Sequence, residues 1–331
     1  MQELFMLETV LANLAATRLP PTETLVACAA AALIASLILS SVFGVFMATA
    51  SEFATLQTRR AFYARAARQT AQTALCTGTL AALLGAGFMA WFAMNEPALL
   101  APPYVIPLAL TGGSIVIALA LLAVYAHQRT GKPFAGKGHA SIGLASAVLS
   151  AFALFCCTGI VRRLLHTPPE FDATLPPAIQ LQLFFEIPFD SFFWPLLLES
   201  VPLGFALAAA FTCIWLLLMR KKQDYGRDYY NFALPYCARW AFGATLLAVL
   251  AGAFVFYESR KLMLPELSRD PSLLLDILSA ALPLLACLLW IFTMRSPHPM
   301  RHKISVALAL LFLLTGFAGQ VLMLNKVIPS P

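Results

Sequence analysis

A chain of 331 residues that is 60% hydrophobic and 11% charged, with a mean hydropathy of +0.79, is not a soluble domain, since those carry roughly a quarter charged residues. It reads as a polytopic membrane protein, and its net charge of +6 is concentrated in loops, where it reports topology and not nucleic-acid binding. The seven cysteines, Cys28, Cys76, Cys156, Cys157, Cys213, Cys237 and Cys287, lie in apolar stretches without CxxC or CxxCH spacing, which excludes covalently attached haem c and fits neither a disulfide framework nor a metal site.

The first twenty residues lack a basic segment followed by a small-residue cleavage site, so no cleavable signal is expected. A membrane span needs about 20 apolar residues. Eight such stretches are predicted, near 25–50, 70–94, 103–127, 140–163, 191–219, 235–257, 272–294 and 304–326. Cationic loops follow spans one, three, five and seven: "TRRAFYARAAR", "HQRTGKPFAGKGH", "RKKQDYGRD" and "MRSPHPMRHK". The loops after spans two and six, "NEPALLAPP" and "ESRKLMLPELSRDPS", are less basic or mixed. The long loop after span four begins with Arg162 and Arg163 but turns acidic and proline-rich. The positive-inside rule then places both termini on the non-cytoplasmic side. Within the long loop, "PPAIQLQLFFEIPFD" has the character of an interfacial helix.

The chain also repeats itself. "RAFYARAARQTAQTALCTGTLAALLGAGF", from Arg60, aligns without gaps on "RDYYNFALPYCARWAFGATLLAVLAGAFV", from Arg227. Arg60 meets Arg227, Phe62 meets Tyr229, Tyr63 meets Tyr230 and Gly85 meets Gly252, and the same offset superposes span three on seven and four on eight. Four spans per repeat is even, so the halves share one orientation. The expected architecture is an all-α integral membrane protein of eight transmembrane helices in two tandem four-helix bundles, residues 1–165 and 191–331, joined by an outer-side loop at 166–190.

Haem b in a membrane bundle is held by His or Met projecting inward from facing helices. All five histidines fall at span ends or in loops: His127, His139, His298 and His302 on the cytoplasmic side and His166 on the other. Loop histidines are most often simply solvated, and without an interior His a bis-histidine haem b is not expected. The ionisable groups near membrane depth cluster in the second half. Glu199 lies about a third of the way into span five from the outer face, Asp276 lies just inside span seven, and Glu258 caps span six there. Arg239 stands near the cytoplasmic start of span six. Intramembrane charges are functional candidates; the plain alternative for Glu199 is a protonated or hydrogen-bonded group that only fixes packing. Arg162, Arg163, Arg260 and Lys261 fit interfacial anchors.

At these residues a family resemblance emerges. "FMATASEFATLQTRRAFYARAARQ" resembles the end of the first helix in subunit I of cytochrome bd-type quinol oxidases, where a Glu, a Tyr eleven residues on and a basic residue lead into a Gly-containing second helix. Here those positions are Glu52, Tyr63, Arg68 and Gly85. "QRTGK" is similar to the turn after that family's third helix, "SAFALFCCTG" to its fourth helix, and "LLLESVPLGFALAAAF" to its fifth. The resemblance covers most of spans one to six.

The departures from that pattern carry as much information. The family's helix-one haem-ligating His falls at Ile34, its two helix-three carboxylates at about Leu108 and Val116, and its helix-five haem-ligating His on Glu199. No Met–haem counterpart stands out in span seven, which supplies Asp276 instead, and the long outer loop that helps bind quinol is missing. An aliphatic side chain has no lone pair for iron, and a carboxylate substitutes poorly for imidazole at a low-spin site. The resemblance therefore implies a haem-poor, non-catalytic subunit of a bd-like respiratory electron-transfer complex in a bacterial or archaeal cytoplasmic membrane. Its cofactor candidates are a quinone or lipid on this chain and haem on partner subunits. Its partner candidates are a haem-bearing membrane subunit, cytochrome c or other redox subunits, and membrane lipids. Two other readings stay open: a haem-free quinone-interacting anchor like those of polysulfide- or nitrite-reductase-type complexes, and a small-solute transporter. The transporter reading has one candidate helix break, at Pro202 and Gly204.

Overall fold

The computed structural model describes residues 22–95, 102–127, 137–165, 176–223, 225–262 and 273–325. Eight long helices run through them: α1 (Thr22–Thr58), α2 (Ala61–Asn95), α3 (Pro102–His127), α4 (Lys137–Leu165), α6 (Phe193–Met219), α7 (Arg227–Leu262), α8 (Leu273–Arg295) and α9 (Lys303–Asn325). A short α5 (Pro177–Phe185) lies between α4 and α6. Seven of the long helices are long and apolar enough to cross a bilayer, and α8 is apolar over Ser279–Arg295. The protein is an all-α, multi-pass integral membrane protein.

Two helices start earlier than hydropathy indicates. α2 begins at Ala61 and α7 at Arg227, so most of "TRRAFYARAAR", read as loop from its charge, is helical. Hydropathy misses these turns because they pack on protein. Phe62 lies edge-on to Tyr229 at 6.1 Å, and Tyr63 meets the Phe232 and Tyr236 rings at 5.1 and 5.6 Å. Phe62 and Tyr229 are repeat equivalents, and a residue that touches its own equivalent sits where the two halves turn about one another.

Small residues let the helices approach closely, as expected where lipid provides no hydrophobic drive between apolar helices. A Cβ on Gly44 would stand 2.9 Å from the Ala74 Cβ, and the Ser41 hydroxyl donates to the Ala74 carbonyl at 2.8 Å, so α1 lies tight on α2. Along α6, Ala206, Ala208, Ala209 and Ala210 are fully buried. The hydroxyls of Ser36, Thr49, Ser51 and Thr212 each donate to the carbonyl four residues back, which satisfies them without water.

Two apolar cores result. One joins α1 to α4 around Val45, Ala71, Leu122 and Ala147. The larger one gathers α6, α7, α8 and α9 together with the other face of α1, through Phe43, Leu207, Tyr229, Trp290 and Leu313. α1 thus belongs to both. At the end away from the basic turns, α5 seats Phe184 on Gly159 of α4, where an added Cβ would come within 2.7 Å of the ring. The predicted loop helix is present, and with Phe184 only 1% exposed it docks on protein while Ile179 and Phe185 face outward.

The crossing of α1 and α6 has no spare room: a Cβ on Gly204 would fall 2.0 Å from Cδ2 of the buried Phe43. Gly204→Ala must therefore displace that ring or part the helices, and is expected to destabilise the protein by about 1–3 kcal/mol. Gly87→Ala, with nothing within 4 Å of the new methyl, is the control. Equal thermal unfolding midpoints in detergent for the two variants would show that the crossing is not tight.

Candidate functional site

Glu199 projects from α6 between α7 and α9 and is only 7% exposed. Its Oε1 accepts a 2.7 Å hydrogen bond from Nε2 of Gln320 on α9. The slot in which they meet exists because α7 carries glycine there: a Cβ on Gly252 would stand 2.7 Å from that oxygen and 2.8 Å from that nitrogen. Among the described residues, the second carboxylate oxygen has no hydrogen-bond partner.

The pair forms a wall between two cavities. One, of about 210 Å³, lies inside the second half and is lined by Gly252, Phe256, Ser279, Pro283, Leu313 and Met323 from α7, α8 and α9. The other, of about 510 Å³, lies between the halves and is lined by Cys28, Ile38, Leu154, Thr158, Leu196 and Leu324 from α1, α4, α6 and α9. Glu199, Leu203, Phe317 and Gln320 face both. Such concave, mostly apolar spaces with one convergent polar pair are the usual form of a small-molecule site.

The chain matches no protein-family profile and no curated protein. Among solved structures it is similar to the bd oxidase from Geobacillus thermodenitrificans, with a TM-score of 0.65 over 90% of this chain and 86% of that one, at 12% sequence identity. The fold is bd-oxidase-like. At that identity the likeness extends to the fold and not to the chemistry.

The haem that such a fold implies can be tested against the donors present. Around the smaller cavity they are Glu199, Gln320, Ser279 and Met323, and around the larger one Glu199, Gln320, Cys28, Cys157, Thr158 and Ser200. Met323 sulfur lies 3.7 Å from the Ser259 hydroxyl, which donates to the Phe256 carbonyl at 2.8 Å. Among the described residues, no imidazole lines either space. A carboxylate, an amide and a thioether do not make the bis-histidine or His–Met set that low-spin haem takes, so the residues do not fit that group.

The other sequence candidates are dispersed. Ile34 is half-buried on α1, near Gly85 of α2 and outside both cavities. Arg239 lies three turns into α7 and is exposed, because that helix starts at Arg227 and not at the span's apolar edge. Glu258 is half-buried within the last turns of α7 and lines neither cavity. Asp276 falls in α8, but its side chain lies outside the described ones, as do those of Arg163, Arg260 and Lys261; His166 lies outside the described residues altogether. The α6 helix runs unbroken through Pro202 and Gly204, so the break that a transporter reading uses does not form.

One histidine corrects the loop assignment. His139 belongs to the first turn of α4, and its Nδ1 lies 2.8 Å from Oε1 of Glu52, which is 3% exposed. The Tyr125 hydroxyl donates to the other Glu52 oxygen at 2.7 Å, and His139 Nε2 lies 3.0 Å from the Tyr125 carbonyl while the two rings stack at 4.5 Å. A carbonyl only accepts, so Nε2 carries a hydrogen, and a second proton sits between Nδ1 and Oε1. The cluster ties α1, α3 and α4 together. "GKGHASIG" looks like loop from its glycines and charge, and the only signal against that is the apolar run starting directly after it. Gln320 gives no comparable signal in the sequence, because the amide inside "TGFAGQVLML" carries no charge.

His139→Ala leaves the Glu52 carboxylate buried with Tyr125 as its remaining partner, and breaking one side of such a pair costs about 3–5 kcal/mol. The unfolding midpoint should fall accordingly, and adding Glu52→Gln should recover part of the loss. A His139→Ala protein as stable as the wild type would reduce the cluster to a surface contact.

Proposed function

We propose that this chain is a haem-poor, non-catalytic membrane subunit of a bd-like respiratory electron-transfer complex in a bacterial or archaeal cytoplasmic membrane. Its two four-helix units, residues 1–165 and 191–331, scaffold a haem-bearing partner subunit, and the Glu199–Gln320 wall holds a quinone or lipid where a related chain holds haem. The observation that carries this reading is the wall itself: one carboxyl–amide pair shared by two apolar cavities in a bd-oxidase-like fold. What supports a quinone or lipid over iron is the donor set, which offers hydrogen bonds and no imidazole. An isoprenoid or acyl tail suits the larger cavity, whose lining is mostly apolar. A head-group oxygen can take a hydrogen bond from Gln320 or share a proton with Glu199. The anchor-subunit reading shares the quinone, but nothing in the fold likeness favours it.

Haem quantitation with a reduced-minus-oxidised spectrum tests the scaffold directly. Haem should be present in the gently solubilised complex and absent from this chain expressed alone; stoichiometric haem b in the lone chain would overturn the reading. Within the complex, Glu199→Gln keeps a hydrogen-bonding group of the same shape. Assembly is expected to survive while quinol-linked turnover falls about a hundredfold, the low side of what a positioned proton-transfer group contributes. Undiminished turnover would make Glu199 a packing residue.

A further inference from the structure

A third concave surface lies outside the site just described. Between α2 and α6, toward their basic-turn end, a groove of about 590 Å³ is lined by Gln72, Cys76, Leu80, Leu83, Trp215 and Gln223. Its chemistry is graded along its length. Leu80 and Leu83, both exposed, form the far part, and polar groups gather where α6 runs into the turn Arg220–Lys221–Lys222.

Two donors at that polar end lack acceptors. The Trp215 indole N–H is buried and, among the described residues, has no hydrogen-bond partner. The Gln72 side chain accepts from Gln223 Nε2 at 3.4 Å, and its own amide nitrogen donates to nothing among them. Gln223 does not relieve this: its oxygen accepts from Gln69 at 3.1 Å and, among the described residues, from neither of these donors. A buried donor left unpaired in a membrane protein is costly, so the groove calls for an occupant that brings acceptors.

The surrounding charge says which one. Arg68 stands one helical turn before Gln72 on the same face of α2 and is exposed, as are Arg220, Lys221 and Lys222. Trp215 lies five residues before Arg220, about 7–8 Å along the helix. Cations at the membrane surface, hydrogen-bond donors a short step below them and an aliphatic trough beyond match the order of parts in a phospholipid: phosphate, glycerol esters, acyl chain. Basic pockets between transmembrane helices on the positively charged side are the kind that take anionic lipid headgroups.

We propose that this groove is a binding site for an anionic phospholipid. The phosphate sits among Arg68 and the Arg220–Lys222 turn, ester carbonyls accept from Trp215 Nε1 and the Gln72 amide, and an acyl chain lies over Leu80 and Leu83. The site is independent of Glu199 and of the respiratory reading.

Native mass spectrometry of the full-length chain tests it, after exchange into mixed micelles of phosphatidylglycerol and phosphatidylcholine. One phosphatidylglycerol should be retained per chain, at least about tenfold over phosphatidylcholine, with Arg68→Gln erasing the selectivity and Trp215→Phe shortening retention. Arg68 is exposed, so its variant folds whatever becomes of Trp215→Phe. Equal retention of the two lipids, or selectivity unchanged in Arg68→Gln, overturns the proposal. A photo-reactive residue at Leu80 in the native membrane distinguishes the occupants: a lipid adduct supports the site, and capture of a partner's transmembrane segment overturns it.

Discussion

The structure depends on the close crossing of α1 and α6, where Gly204 admits the Phe43 ring into the space a side chain would fill. In a bilayer the helices gain nothing by hiding apolar surface from lipid, so they assemble on packing and on internal hydrogen bonds. That explains why α6 is lined with buried alanines and why α1 contributes to both cores. It also explains why the larger cavity lies beside this crossing: Ala27, Ala31 and Ala35 of α1 keep the helices near one another but do not fill the space between them and α9.

The second constraint is that a polar group in the span is costly to leave without a partner. Most hydroxyls take the carbonyl four residues back, which is local and says nothing about function. The long-range bonds between side chains include three groups that join separate elements: Glu52 with Tyr125 and His139, Gln69 with Tyr229 at 2.5 Å and with Gln223, and Glu199 with Gln320. The first two have their hydrogen-bonding capacity absorbed by protein, and they rigidify the end that carries the basic turns. Among the described residues, Glu199 alone of the buried carboxyls opens onto two cavities, and this separates it from a purely structural polar contact.

The fold was legible because hydropathy over twenty residues is a strong signal and loop charge a consistent one; the eight predicted spans correspond to eight long helices. Helix starts at Ala61 and Arg227 were not legible, since aromatic and basic residues that pack against the other half look like loop to a hydropathy window. Glu199 stood out as a lone charge in an apolar run. Its partner did not, because a neutral amide carries no comparable penalty, and Gly252 reads as an ordinary small residue until the carboxylate is in place beside it. His139 was misassigned for the same reason: its importance comes from Glu52, 87 positions away in the chain, and no local pattern encodes that contact.

The internal repeat shows how such a site can exist in one half only. The offset that carries Arg60 to Arg227 carries Gly85 to Gly252, but it pairs Glu199 with Ala32 and Gln320 with Ala153. The first half therefore keeps the glycine that opens the slot and has no polar pair to put in it. In the opposite direction, Glu52, Tyr125 and His139 fall on Met219, Phe292 and Val306. The aromatic ring is retained there, while the hydroxyl, the carboxylate and the imidazole are replaced by apolar groups. Among the described residues, each half thus holds one buried carboxyl cluster that the other lacks, and the two clusters lie toward opposite ends of the bundle: one closed and tying three helices, the other open to the cavities. An arrangement that were only a packing solution would be free to recur in both halves, since the helices that carry it do.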